Sequence, residues 1–284
     1  MRHPALSVTL VFFAACLACV PALADEGSFS PGDGRVVLLP TAQIMEAGTQ
    51  SVSNYELLTF HYSYGAAEDT QFSVLVTAPV AQIGVMPSIK HRFLNDEHLK
   101  LAVMAYGGGM IFYAGGSVMA FTAGVGIIAD WCIDDECRKI VSFSAQPGVG
   151  MAYDRGSSHG DTSSQYGFSF YTGPGLTVEI SERVKLVAEV AYAMMGNPSA
   201  TTTTCTTPLP GGGAGQTCRE ERRTDTMGVL AVDYALRLHG TSFAADLGFA
   251  RPVLVHTNGE LQNVEEVMKY LPLGFPWLSF TYQW

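Results

Sequence analysis

Along most of the chain, large apolar residues fall on every second position. In "ERVKLVAEVAYAMM", Leu186, Ala188, Val190, Tyr192 and Met194 alternate with Lys185, Val187, Glu189, Ala191 and Ala193. "TMGVLAVDYALRL" sets Leu230, Val232, Tyr234, Leu236 and Leu238 against Val229, Ala231, Asp233, Ala235 and Arg237. "TSFAADLGF" opposes Phe243, Ala245, Leu247 and Phe249 to Ser242, Ala244, Asp246 and Gly248. A period of two puts the two sets on opposite faces of a strand, and helical periodicity is scarce. One face is apolar or aromatic. The other is Gly, Ala and Ser with isolated charges. A soluble sandwich would carry Lys, Glu, Thr and Gln in quantity on its wet face. Small residues with sparse charges suit the inside of a narrow barrel, and the greasy face suits lipid.

The alternation predicts strands near 35–42, 49–63, 69–78, 81–94, 98–111, 117–131, 138–153, 164–180, 183–197, 224–238, 241–257 and 275–284. The expected fold is all-β: a transmembrane, antiparallel, up-and-down β-barrel of about twelve strands (10–12), an even number as in single-chain bacterial barrels. Residues 35–42 are the shortest of these segments, and without them the count would be odd. Tight turns at "NDEH", "ISER" and "HGT" fall on alternate gaps from the longer "DRGSSHGDTSS", the 198–223 segment and "NGELQNVEEVMKYLPLG". Short turns at one end and long loops at the other place the short end in the periplasm. "ELQNVEEVMKYL" has mild helical character, which suits a cap on the outer side.

Composition narrows this further. Charged residues make up 15% of the chain, there are 30 glycines, and the formal net charge is −10. That balance argues against nucleic acid as a partner. Arg2, the apolar run "ALSVTLVFFAACLACV" and "PALA", with Ala22 and Ala24 in small-x-small spacing, have the anatomy of a signal peptide cleaved after Ala24. Residues 1–24 are therefore expected to leave, and residues 25–284 to form one barrel domain. In that remainder no stretch approaches the roughly 18 apolar residues of a spanning helix.

The chain closes on "PWLSFTYQW", where Leu278, Phe280, Tyr282 and Trp284 share one face. With the signal peptide and the dyad pattern, this terminal aromatic resembles Gram-negative outer-membrane β-barrel proteins, as an architecture and without a specific family. The resemblance implies a bacterial outer-membrane location, with membrane lipid and the barrel-insertion machinery as partners. It also implies that Leu278, Phe280, Tyr282 and Trp284 are the C-terminal insertion signal. An amphipathic ring such as Trp284 is favoured at a membrane interface.

Of six cysteines, Cys16 and Cys19 leave with the signal peptide. The topology puts Cys132 and Cys137 at the short-turn end and Cys205 and Cys218 at the other. A barrel's height far exceeds the roughly 7 Å that a disulfide can span between Cα atoms. Cys132–Cys137 and Cys205–Cys218 are therefore the expected pairs. A zinc site at the C-x4-C spacing is disfavoured because no histidine is near, and no metal or cofactor is expected.

By parity the inner face carries Lys90, Arg92, Lys100, Asp130, Arg138, Glu179, Lys185, Glu189, Asp233, Arg237 and Asp246. These charges admit two readings: a constriction that filters solutes, or a salt-bridged network that fills the lumen. Twelve strands fall between a barrel that fills itself and an open porin. Catalysis finds little support. Asp154, His159 and Asp161 share one loop, and no nucleophile, base and orienting group assemble. The expected function is a small pore for passive or selective solute passage. The alternative is a non-conducting barrel that anchors an envelope machine for secretion, surface motility or adhesion through protein partners. An outer-membrane enzyme comes third.

Overall fold

A computed structural model describes residues 29–284, apart from 56–58, 78–81, 113–116, 156–161, 207–216 and 259. The expected signal peptide, the "GGGAG" loop tip, His159 and Asp161 lie outside the described residues. The strands are β1 (Gln50–Tyr55), β2 (Thr59–Ala67), β3 (Thr70–Thr77), β4 (Gln82–Asn95), β5 (Leu99–Phe112), β6 (Ser117–Cys132), β7 (Lys139–Arg155), β8 (Thr162–Ser181), β9 (Val184–Thr206), β10 (Thr217–His239), β11 (Phe243–Thr257), β12 (Glu260–Gln262) and β13 (Phe275–Gln283). One short helix, α1 (Glu265–Met268), precedes β13. It is the described remnant of the expected cap.

Consecutive strands pair antiparallel from β1 to β11; β11 then pairs with β13, and β13 with β1. Twelve strands thus close into a barrel, while β12 only lengthens the edge of β11. Closure is completed by the last residue. Gln50 N donates to Trp284 O at 2.9 Å, and Trp284 N donates to Gln50 O at 3.0 Å. A closed ring leaves no unpaired sheet edge.

The wall strands differ from those expected at one place, and two departures cancel in the count. Residues 35–42 are not in the wall; they lie inside it, with only an isolated bridge between Arg35 and Pro40. Residues 49–63, expected as one strand, are the hairpin of β1 and β2. Ser51, Ser53 and Ser63 are all buried. The two strands therefore share one parity, and alternation alone could not reveal the boundary between them.

The outer face is apolar, and the buried charges of the wall lie inside. Phe72, Phe121, Val125, Ile127, Trp131, Val149 and Leu247 are exposed on the outer face. Lys90, Asp130, Lys185, Glu189, Asp233, Arg237 and Asp246 are buried within, none more than 8% exposed. This inverts the usual arrangement of a protein in water. The turn after β2, β4, β6, β8 and β10 lies at one end, where the chain also terminates. The two longest connections, after β9 and between β11 and β13, lie at the other. The wall is uneven: β1 has six residues, whereas β9 and β10 have 23 each.

Candidate functional site: a clasped plug and the chamber beyond it

The segment 29–48 enters the barrel from the short-turn end and returns to it. Gln283 Nε2 holds Phe29 O at 3.2 Å near the start of this excursion, and Gly48 N donates to Gly65 O at 2.8 Å near its end. Between them the chain folds back on itself: Val36 N donates to Leu39 O, and Thr41 N to Gly34 O. Val36, Val37, Leu39, Ala42 and Met45 are 5% exposed or less. Three residues of the run "VVLL" are enclosed by the wall, and Leu38, 57% exposed, faces the open lumen. The segment is a plug surrounded by the wall.

The inward charges clasp this plug. Glu189 of β9 accepts from three successive backbone N–H groups, those of Val37, Leu38 and Leu39, at 2.9–3.0 Å. Successive amides converging on one carboxylate form an anion nest. Arg237 of β10 is 1% exposed and donates to Gly32 O, Arg35 O and Val36 O, and twice to Asp246. Its five bonds match the five donors of a guanidinium. Asp130 accepts from Ala42 N at 2.8 Å, Lys90 donates to Thr41 O and Gln43 O, and Lys185 pairs with Asp33 at 2.8 Å. Lys100 reaches Gln43 Oε1 at 3.2 Å.

Plug and wall also answer each other in the opposite direction. Arg35 leaves the plug to pair with Asp246 at 3.1 Å, to bond Ser279 Oγ, and to lie over the Tyr55 ring at 4.5 Å. Gly175 of β8 is a packing requirement. A Cβ built there would lie 2.6 Å from a methyl carbon of Val36, so the plug's side chain occupies the space a larger residue would take.

The remaining inward charges serve elsewhere. Arg92 pairs with Asp69 in the β2–β3 turn at 2.7 Å. Glu179 lies half-buried near the short-turn mouth, beside a polar crevice of about 40 Å³ that Asp130 and Lys185 also line. Arg138 is a correction to the inward set. It stands in the β6–β7 turn, exposed and paired with Glu136, because β7 begins only at Lys139. The same turn holds the disulfide Cys132–Cys137. Cys205 and Cys218 oppose each other in register across β9 and β10; their expected bridge falls on side chains outside the description.

Beyond the plug the lumen widens into a chamber of about 1410 Å³. The plug residues Val37, Leu38 and Pro40 form its floor, and its wall includes Leu75, Met86, Met104, Met110, Phe168 and Trp277. Asp233 also lines it. Two glycines of β6 receive neighbours' side chains instead of opening space. A Cβ on Gly124 would meet the Tyr106 hydroxyl at 2.4 Å, and one on Gly126 would meet Gln146 at 2.7 Å.

On the outer face Leu278 and Trp284 are exposed and Phe280 and Tyr282 half-buried, while Ser279 and Thr281 between them point inward. Tyr282 and Trp284 stack at 5.6 Å. Among the described residues no group of three His, Cys, Asp or Glu is placed to hold a metal ion. The residues that sequence reasoning missed are Asp33, Arg35, Ser279 and Gln71, whose Oε1 accepts from Met45 N of the plug. The signal that could have found the first two is the non-alternating apolar run directly after them. No protein-family model and no curated protein matches the chain.

Proposed function

We propose that the protein is an outer-membrane β-barrel closed on its periplasmic side by its own N-terminal segment: a gated passage rather than a permanently open pore. The observation that carries this reading is the clasp itself. Seven charged wall residues (Lys90, Lys100, Asp130, Lys185, Glu189, Arg237 and Asp246) bond directly to the plug, and most of those bonds go to its backbone. Charges that merely filtered solutes would face water instead of peptide groups. The apolar outer face supports the membrane setting, and the short turns belong in the periplasm as in other such barrels. No part is assigned to catalysis; the reading is of a binding and gating protein.

The scaffold reading is favoured by one separate feature. β9 and β10, at 23 residues each, are about twice the roughly 9–11 residues needed to cross a bilayer. They would stand clear of the membrane as a platform for a partner. Single-channel recording in a planar bilayer separates the readings. The gated passage expects little conductance from the intact protein and stable conductance once residues 30–46 are deleted, with folding of the variant checked by heat-modifiable gel mobility. A folded, plugless barrel that stays silent would favour the scaffold. Steady conductance from the intact protein would restore the open pore.

A further inference from the structure

Among the described residues, the clasp uses every fully buried carboxylate of the wall but one. Asp33 pairs with Lys185, Asp130 accepts from Ala42 N, Glu189 takes the plug tip, and Asp246 pairs with Arg35 and Arg237. Asp130 leaves Oδ1 bare, yet holds the plug through Oδ2. Asp233 forms no ion pair among the described residues, and its Oδ1 accepts no hydrogen bond although the residue is only 2% exposed. It is set directly opposite Glu189 in register and lines the chamber. Like charges opposed across strands are destabilising, and a buried polar atom without a partner is costly. The cations that line the same chamber are spent: Lys90 is held by two plug carbonyls, and Arg35 by Asp246, Ser279 and Val37 O.

Four further polar atoms on the same chamber wall are unsatisfied, Thr77 Oγ1, Gln146 Nε2, Tyr171 Oη and Trp277 Nε1, the last two on aromatic rings. Tyr171 is within electrostatic range of both Glu189 and Asp233. Around them the wall is apolar and rich in methionine. Apolar concavities with a few convergent polar groups are the usual form of a small-molecule site. Methionine adapts to irregular apolar shapes, and aromatic faces beside a carboxylate favour a cationic group.

We propose that the chamber binds an amphiphilic organic cation, with an ammonium group against Asp233 at the floor and an apolar body along the methionine and aromatic wall. The cation supplies the positive charge that the Asp233–Glu189 pair lacks and the donors that Asp233 Oδ1 lacks. Tyr171 and Trp277 offer the head group an aromatic surface and, through their O–H and N–H, hydrogen bonds to any oxygen it carries. The site rests on the chamber and its floor, and holds whether or not the plug ever moves.

Isothermal titration of the full-length barrel in non-ionic detergent at low salt tests this with three probes of one shape: 2-phenylethylammonium, 2-phenylethanol and phenylacetate. The ammonium should bind at least about tenfold more tightly than the alcohol, and phenylacetate weakest, because only the cation gains from a desolvated carboxylate. Asp233→Asn should erase the preference for the ammonium. Ala250→Lys provides an independent check, since Ala250 is the register partner of Asp233 on β11 and also lines the chamber. A lysine there acts as a tethered ammonium and should abolish binding of the free one. Equal binding of ammonium and alcohol, no binding of either, or undiminished ammonium binding in either variant would overturn the proposal.

Discussion

The two halves of the lumen treat buried charge in opposite ways. Towards the short turns, Arg237 and Asp246 are each 1% exposed, and every donor of the guanidinium is engaged. Towards the long loops, the chamber keeps Asp233 at 2% exposure with an acceptor atom bare and no cation beside it. Burial is the same; satisfaction is not. An ion taken from water costs several kcal/mol unless its partners are well placed. A half that pairs its charges internally is built to stay shut, and a half that leaves one unpaired is built to receive something. The closed half takes most of its partners from the plug backbone, because carbonyls and amides carry no extra charge to balance.

The largest effect should come from the centre of the closed half. Arg237→Ala strands Asp246 with Arg35 as its only cation and leaves Gly32 O, Arg35 O and Val36 O without their shared donor. Removing one member of a buried, bonded charge set costs about 3–5 kcal/mol. Urea unfolding of the barrel in lipid vesicles should show that loss. A cost below about 1 kcal/mol, the range of an exposed ion pair, would mean that the clasp is not what holds this half together.

A smaller effect should follow from steric pressure alone, with every charge intact. Gly175→Ala places a methyl group 2.6 Å from the Val36 side chain, and either the plug or β8 must shift. Overpacking of this kind costs about 1–3 kcal/mol. Because the plug tip is held by bonds that a small displacement weakens, Val37→Cys should label faster with a membrane-impermeant maleimide in the Gly175→Ala background. Unchanged labelling with unchanged stability would show that the wall yields and the plug does not depend on this contact.

The wall of both halves is legible in the sequence, whereas the contrast between them is not. Strand alternation stands out because lipid-side and lumen-side residues differ sharply in size and polarity, as Leu247 and Asp246 do on β11. The identities of the inward charges follow from the same parity, except at Arg138, where the strand starts one residue later. Their partners are hidden. Glu189 bonds to residues some 150 positions away through backbone amides, and backbone groups leave no mark in a sequence. The plug reads as a strand because a short apolar run looks alike whether it is wall or filling. The boundary between β1 and β2 escapes because "NYELLT" carries no Gly or Pro and keeps the parity on both sides.

The smallest effect on stability should come from Asp233, a carboxylate of the open half that forms no ion pair among the described residues. Asp233→Asn keeps the size of the side chain and removes a negative charge that faces Glu189 directly in register. In the closed half the loss of a charge orphans its partners; here the clasp leaves no ion-pair partner to orphan. Relief of like-charge opposition is worth about 0.2–1 kcal/mol, so without ligand the variant should be as stable as the parent or slightly more so. Its urea midpoint should therefore move little, and upward if at all, while the Arg237→Ala midpoint falls steeply. The same variant should lose its preference for an ammonium ligand, separating what the residue does for binding from what it does for folding. A destabilisation comparable to that of Arg237→Ala would break the comparison, because Asp233 would then belong to the closed network, and the two halves would be one.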